Sequence, residues 1–160
     1  MIQVGCKDTI KSGTADIVEE AKSDSAMSNV GEWLGPLGNL RNGRSLEKGW
    51  RQDWFDNEPD LLWKREIGVG VASVSCFEGL VYCVGNKENK EVVQCLDANT
   101  NQILWEYSYP CAIDKRMFEG GSASSPVIDV ERGSLYILSH EGELRSLDLD
   151  NGKELWRLSY

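Results

Sequence analysis

Short apolar runs, each closed by turn residues, dominate the chain from Asp60 onward. They predict one strand over residues 61–67 and then a set of four strands over 69–76, 80–84, 92–97 and 103–107. A second set of four is predicted over 122–128, 134–139, 143–148 and 154–158. Short strands separated by frequent turns indicate an all-β fold. Gly133 and Gly142 lie in two of the predicted hairpin turns, where a tight hairpin requires the positive φ that glycine adopts.

One stretch of the sequence occurs twice. Residues 96–105 read LDANTNQILW and residues 147–156 read LDLDNGKELW, and the Leu-Trp ending occurs once more at Leu62 and Trp63. Repetition of one unit at roughly 40–50 residues is typical of four-stranded propeller blades. The repeat therefore predicts a partial β-propeller with two four-stranded antiparallel blades, preceded by a further strand. The predicted ranges are 61–67 for that strand and 68–109 and 110–160 for the blades.

The repeat has a physical explanation in its turn and in its Trp. We expect the carboxylates of Asp97 and Asp148 to accept hydrogen bonds from N–H groups of the turn. Asn101 and Gly152 stand where the chain requires a left-handed backbone, which Asn and Gly tolerate best. We expect each Trp to dock on the neighbouring blade while its indole N–H bonds an acceptor there. The residues at this position are Trp63, Trp105 and Trp156.

These residues resemble the pyrroloquinoline-quinone-like (PQQ-like) repeat, the blade unit of quinoprotein-type propellers. The family pattern is a small residue, then Asp, Gly, Lys and Trp at fixed spacing. The second copy follows it closely, whereas the first lacks the Gly and the Lys. The two copies are Cys95, Asp97, Asn101, Gln102, Trp105 and Ser146, Asp148, Gly152, Lys153, Trp156. Three segments, residues 33–43, 61–63 and the long connector over 107–121, also resemble the front end of envelope proteins of the outer-membrane assembly factor B-like type.

The resemblance implies that an N-terminal strand completes the last blade of the propeller. Residues 61–67 would then be the outer strand of a closing blade whose other strands lie beyond Tyr160, and the chain would be an N-terminal fragment. We therefore expect Trp63 and Trp156 to lack docking partners within this chain. An open strand edge is an aggregation hazard, so self-association of the fragment is also expected.

Residues 1–30 are polar and predict a disordered tail or tether. They contain no recognisable signal peptide. Val4, Gly5 and Cys6 nevertheless resemble the end of a lipoprotein cleavage site, so Cys6 is a candidate for lipidation if the chain starts upstream; the alternative is an ordinary Cys in a tail. Residues 31–60 predict an irregular segment packed by its own aromatic side chains.

Charge and cysteine content exclude several classes of function. The net charge of −9 and the lack of a basic stripe argue against nucleic acid as a partner. No apolar run approaches the roughly 18 residues that a membrane-spanning helix needs. The five cysteines include no CxxC motif and no cluster with the single His, so no metal site is predicted. Cys76, Cys83 and Cys95 are predicted to be buried free thiols.

No catalytic residue and no cofactor is predicted. His140 lies beside a predicted turn and is interpreted as a surface residue rather than a base. Quinone-dependent dehydrogenases of the resembled superfamily use a vicinal Cys pair and calcium-binding acidic residues, and no Cys-Cys occurs here. The long connector over 107–119 is a candidate interaction loop because it carries side chains that interfaces favour, namely Tyr109, Arg116, Met117 and Phe118. The alternative is a loop that folds onto its own blade.

The sequence thus favours a non-catalytic PQQ-like propeller fragment with protein partners, acting as a scaffold in the bacterial cell envelope, either periplasmic or associated with the outer membrane. One alternative is the N-terminal part of a quinone-dependent dehydrogenase, because both classes share the repeat. Another is a short, self-assembling two-blade protein.

Overall fold

The computed structural model describes residues 2–4, 31–51, 53–56, 58–116 and 120–160. This part of the chain contains strands and irregular segments, and no helix is found in it. The strands are β1 (Ile2–Val4), β2 (Trp63–Arg65), β3 (Ser75–Phe77), β4 (Leu80–Lys87), β5 (Lys90–Asp97), β6 (Ile103–Pro110), β7 (Val127–Asp129), β8 (Ser134–Leu138), β9 (Glu143–Asp148) and β10 (Glu154–Ser159).

Two four-stranded antiparallel sheets form the body of the molecule. The first has the order β3-β4-β5-β6 and the second the order β7-β8-β9-β10, so each is a meander in chain order. The predicted all-β fold of two propeller blades is thereby confirmed. Both blades carry the same irregularity in their outer strand pair, because the register shifts just before Trp105 in the first blade and just before Trp156 in the second.

Several strand ends differ from the prediction. β4 and β5 extend to Lys87 and Lys90 and meet in a tight turn whose residues Glu88 and Asn89 both have positive φ. The first strand of each blade is shorter than predicted, because Val69 pairs instead with Asn86 and Ser122 pairs instead with Gly70. Residues 67–72 therefore run across the end of the first blade. This course cannot be predicted from the alternation of apolar and polar side chains.

Close backbone contacts hold this crossing segment in place. A Cβ at Gly85 would lie 2.0 Å from the Ile67 carbonyl oxygen, and one at Gly121 would lie 2.1 Å from the Val69 carbonyl oxygen. No other residue fits at either position without moving the backbone. The two glycines therefore allow the segment to lie directly against both the first blade and the start of the second.

The main core lies between the two sheets. It combines residues of both blades: Phe77, Tyr82, Val84, Val93, Cys95, Trp105, Ile128, Leu135, Ile137, Leu147 and Leu149. A smaller cluster covers the opposite face of the first blade and contains Trp63, Val81, Cys83 and Leu96. The first blade is therefore buried on both faces, as a blade between two neighbours is.

The irregular segment that precedes the blades is attached to both of them. Trp33 exchanges two backbone hydrogen bonds of 2.8 Å with Cys76 of β3, and the Ile128 N–H of β7 donates to the Leu34 carbonyl at 2.8 Å. Gly38 lies against the Trp33 ring, where a Cβ would come within 2.7 Å of it. This short stretch thus ties together the first strands of the two blades.

The expectation that aromatic side chains pack the whole of residues 31–60 is wrong for Trp50, Trp54 and Phe55, which are half to fully exposed. The reason is that these side chains surround a shallow hollow with Arg51 and lie on neither sheet. Trp33, by contrast, is partly buried because its backbone pairs with β3.

The start of the chain contributes one strand. β1 pairs antiparallel with β2, with Gln3 opposite Lys64, within the range that the sequence predicts to be a polar tail. Cys6, the candidate lipidation residue, lies outside the described residues. Among the described residues, no helix has the length and apolar character required to cross a membrane.

The thiols of the blades are free, and most are buried. Cys83 and Cys95 are fully buried, as predicted, whereas Cys76 is only partly so. Burial raises the pKa of the Cys83 thiol to about 12 and that of the Cys95 thiol to about 11. These thiols therefore stay protonated at neutral pH and serve as small packing groups.

Candidate functional site

The turn between the third and fourth strands of each blade is built around its Asp. Asp97 Oδ1 accepts hydrogen bonds from the N–H groups of Asn99 (2.9 Å) and Thr100 (2.7 Å) and from the Thr100 hydroxyl (2.9 Å). The Thr100 bonds hold the pKa of Asp97 below its usual value. Asp148 Oδ1 accepts from the N–H groups two and three residues further on, both at 3.1 Å.

The Trp of one unit docks on the Asp turn of the next. The Trp63 indole N–H donates to the Ala98 carbonyl at 2.7 Å, and the Trp105 indole N–H donates to the Leu149 carbonyl at 3.1 Å. Ala98 and Leu149 each follow directly after the repeat Asp. Both Trp side chains are buried. Each blade joint therefore has one apolar clasp with a single directional hydrogen bond.

Trp63 therefore has a partner within the chain, and the expectation that it lacks one is wrong. The reason is geometric: β2 packs against the first blade in the same way as β6 packs against the second. Arg65 adds to this joint, because its guanidinium donates to the Oδ1 and to the carbonyl oxygen of Asn101, both at 2.6 Å. Trp156, at the outer edge of the second blade, is 45% exposed and contacts the ring of Tyr136.

The predicted interaction loop separates into a buried part and an exposed part. Tyr109 is buried and its hydroxyl donates to the Glu91 carboxylate, so its assignment as an accessible contact residue is wrong. The reason is that β6 continues to Pro110 and pairs Tyr109 with Glu91 across the strands. Arg116 has a side chain that is 90% exposed and is paired with Asp114 at 2.8 Å, which lowers the pKa of that carboxyl to about 2. Met117 and Phe118 lie outside the described residues.

Three potential ligand side chains meet at the opposite end of the blade joint from the Trp105 clasp. Glu91 comes from β5, Cys111 follows β6, and His140 lies in the turn between β8 and β9. The Cys111 Sγ is 3.6 Å from the His140 Nδ1, and one ligand atom of each residue lies within 4.8 Å of the others. Glu91 and Cys111 are buried, whereas His140 is partly buried.

This cluster was not predicted from the sequence because its members are far apart along the chain. His140 does lie in a turn, as interpreted from the sequence, but the connector after β6 covers it. One signal was present in the sequence. Glu91 directly precedes the apolar residues of β5, and a charged side chain that becomes buried requires a specific partner.

The electrostatics at Cys111 argue against a nucleophilic role for its thiol. Burial and the carboxylates of Glu91, Glu141 and Glu143 raise the pKa of Cys111 to about 12, against the opposing effect of Arg145. A reactive Cys needs a lowered pKa and solvent access. The pair of Cys111 and His140 therefore lacks the activation that a Cys-His catalytic dyad requires.

A buried cation lies next to this cluster. The Arg145 guanidinium stacks 4.0 Å from the ring centroid of Tyr109 and forms ion pairs with Glu143 and, at 2.7 Å, with Glu154. Tyr107 donates from its hydroxyl to the same Glu154 carboxylate. The joint between the blades is thus held by an aromatic clasp at one end and by polar contacts along the rest of β6.

Several solved structures are similar to part of this chain. BamB from Moraxella catarrhalis is 20% identical over 63% of this chain, with a TM-score of 0.38. A europium-containing methanol dehydrogenase is 17% identical over 57% of the chain (TM-score 0.42), and the quinohemoprotein alcohol dehydrogenase from Comamonas testosteroni is 22% identical over 57% (TM-score 0.41). This chain spans 27%, 16% and 13% of those three chains, respectively.

No curated protein matches the chain. A protein family does, over residues 47–160, and it is described as outer membrane protein assembly factor BamB. The match covers both blades, the strand β2 and the end of the irregular segment, and it agrees with the resemblance to the PQQ-like repeat. Because it extends over well more than half of the chain, this protein belongs to the outer membrane protein assembly factor BamB family.

Proposed function

We propose that this chain is part of a non-catalytic β-propeller that serves as a protein-interaction scaffold in the bacterial cell envelope, in the periplasm or at the outer membrane. The observation that carries the proposal is membership in a family of outer membrane assembly factors. A stiff repeat structure with exposed loops suits a role in which other proteins are held in place.

The contacts at the blade joints support a scaffold because they make the joints rigid. The Trp105 clasp, the ion pairs of Arg145 and the Tyr109 hydroxyl all link one strand or blade to another. A surface presented on a preorganised frame loses little conformational freedom when it binds. These polar and aromatic groups are occupied in holding the structure together.

The exposed part of the connector is the proposed contact region. Lys115 and Arg116 are exposed next to the partly buried Asp114, at the end of the molecule where the β4–β5 and β8–β9 turns also lie. Arg is enriched at protein interfaces, and a loop on a rigid frame is a common binding element. Met117 and Phe118 remain predicted contact residues.

Site-specific photocrosslinking in the full-length protein tests this proposal. A photoreactive amino acid is placed at Arg116 and, as a matched control, at Glu131, which is exposed in the turn at the other end of the second blade. We expect a discrete adduct with an envelope protein at position 116 and none at position 131. Arg116→Glu in the same protein, probed from Lys115, should abolish the adduct.

Two outcomes would contradict the scaffold. Equal adducts at Arg116 and Glu131 would show that the connector is not a selective contact. Tight binding of pyrroloquinoline quinone by the full-length protein, with substrate-dependent reduction of an acceptor dye, would instead identify a dehydrogenase. The lipid anchor at Cys6 stays a prediction.

A further inference from the structure

The cluster of Glu91, Cys111 and His140 brings together three kinds of ligand that Zn²⁺ accepts. These are a carboxylate oxygen, a thiolate sulfur and an imidazole nitrogen. The three come from the first blade, the connector and the second blade. A thiolate ligand favours Zn²⁺ and other soft transition metals over Mg²⁺ or Ca²⁺, which prefer oxygen.

The distance between the two best ligands suits tetrahedral coordination. With Zn–S and Zn–N bonds of about 2.3 and 2.05 Å at a tetrahedral angle, the sulfur and nitrogen lie roughly 3.6 Å apart. The separation of Cys111 Sγ and His140 Nδ1 is 3.6 Å. The remaining ligand pairs lie within 4.8 Å.

Two of the three ligands are held by contacts of their own, as in established metal sites. Tyr109 donates to the Oε2 atom of Glu91, and a carboxylate has a second oxygen with which to bind an ion. Both backbone polar groups of Cys111 are hydrogen-bonded. Its N–H donates to the Asn89 carbonyl at 2.9 Å, and its carbonyl accepts from the Asn86 Nδ2 at 2.8 Å.

An unpartnered polar atom adjoins the cluster. Asn86 is paired directly opposite Glu91 in the β4–β5 ladder, so both side chains lie on the same face of the sheet. Asn86 is 1% exposed, and its Oδ1 atom has no hydrogen-bond partner among the described residues. A buried amide oxygen in this condition points to an additional group at the site, such as a metal-bound water.

The local charge also favours a cation. Glu91 belongs to the cluster, and Glu141 and Glu143 follow His140 closely along the chain. The positive charge of Arg145 is itself paired with Glu143 and Glu154. A divalent cation would therefore enter a site with net negative surroundings.

We propose that Glu91, Cys111 and His140 form a Zn²⁺ site that fastens the connector to both blades. The ion would bind the Cys111 thiolate, the His140 Nδ1, a Glu91 carboxylate oxygen and a water. The Cys111 proton passes to solvent when the metal binds, so charge and protons balance. The ion would hold the exposed residues Lys115 and Arg116 in one position relative to the blades.

Titration of the metal-free full-length protein with Co²⁺ tests the site, because a thiolate–Co²⁺ bond absorbs strongly in the near ultraviolet. We expect one Co²⁺ per chain, displaced by Zn²⁺, and a higher melting temperature with either metal. Cys111→Ser should remove the thiolate absorption. His140→Gln should weaken binding about tenfold or more, since even changes to groups behind the ligands have effects of that size.

Two controls keep the test decisive. Cys76→Ser removes another thiol of the first blade, outside the cluster, and should leave both the absorption and the affinity unchanged. His140 lies in a turn, so His140→Gln should fold as the wild type does in the absence of metal, as judged by circular dichroism. Absence of the absorption in the wild type, its persistence in Cys111→Ser, or wild-type affinity in His140→Gln would overturn the proposal.

Discussion

Gly152 and Asn101 occupy the same position of the repeat but have different surroundings. Both have positive φ, 72° and 60°, which the turn requires. A Cβ at Gly152 would lie 2.4 Å from Cε3 of the Trp105 ring, so this turn also requires a residue without a side chain. Asn101 instead uses its side chain to accept a hydrogen bond from Arg65.

Substitution of Gly152 tests the packing of the clasp. Gly152→Ala should lower the free energy of unfolding by about 2–5 kcal/mol, because overpacking against Trp105 adds to the strain of a left-handed Ala. Gly133→Ala is the matched control, since Gly133 has a φ of 56° and nothing within 4 Å of its Cβ position. It should cost only about 1–2 kcal/mol. Equal losses in urea unfolding would show that the Trp105 contact contributes little.

The Asp97 turn predicts a pH dependence of stability. Hydrogen bonds from Thr100 lower the folded-state pKa of Asp97, so its contribution is present above the unfolded pKa of about 3.9 and is lost as the pH falls through the lower folded value. Asp97→Asn keeps an acceptor oxygen but removes the titration. Between pH 5 and pH 2 its melting temperature should therefore fall less than that of the wild type. The control Asp56→Asn, outside the blades, should follow the wild type.

Among the elements, β6 does most to join the blades. Its residues Trp105, Tyr107 and Tyr109 lie on one face because side chains alternate along a strand. Each contacts a different group: Trp105 the Leu149 carbonyl, Tyr107 the Glu154 carboxylate and Tyr109 both Glu91 and Arg145. The sequence predicted the Trp contact, since it is part of the repeat, but not the two Tyr contacts.

Arg145 is the charged residue on which this joint depends. Arg145→Met should cost about 2–3 kcal/mol of unfolding free energy, because the Arg is only 3% exposed and its loss leaves Glu143 and Glu154 facing each other. Arg157→Met is the control: Arg157 is 64% exposed and 3.9 Å from the same Glu154, and should cost about 0.5 kcal/mol or less. Similar losses in the two variants would exclude a special role for Arg145.

At the scale of the whole molecule, the two blades differ in how much of each is covered. The first blade is covered on both sides, whereas β10 forms an edge of the second blade and its only neighbour among the described strands is β9. Leu155, Trp156 and Leu158 are about half exposed there. Apolar edge strands of this kind promote association between chains.

The 160-residue chain is therefore expected to associate in a concentration-dependent way. Leu158→Lys should shift it toward the monomer in sedimentation velocity, because a Lys on an edge strand opposes edge-to-edge pairing. Val130→Lys makes the same change in charge at a turn away from β10 and should leave association unchanged. A wild-type chain that stays monomeric at all concentrations would contradict the prediction.

Much of the fold followed from the sequence because its determinants are local. The Asp, the left-handed residue and the Trp of each repeat lie within ten positions of one another. Turn hydrogen bonds and φ preferences act over that range, so the all-β class and the strands of both blades could be predicted. The ends of β4 and β5 could not, because polar residues such as Asn86 and Glu91 are buried there in contact with Cys111 and Tyr109.

What the sequence alone determined, then, is the repeated unit and the family to which it belongs. Only the tertiary structure decided which groups meet across a joint: that Trp63 docks on the first blade, that Tyr109 is buried, and that Glu91, Cys111 and His140 come together. Those contacts join segments that are distant along the chain, and no local preference encodes them. Their position depends on how two blades and one connector pack against each other.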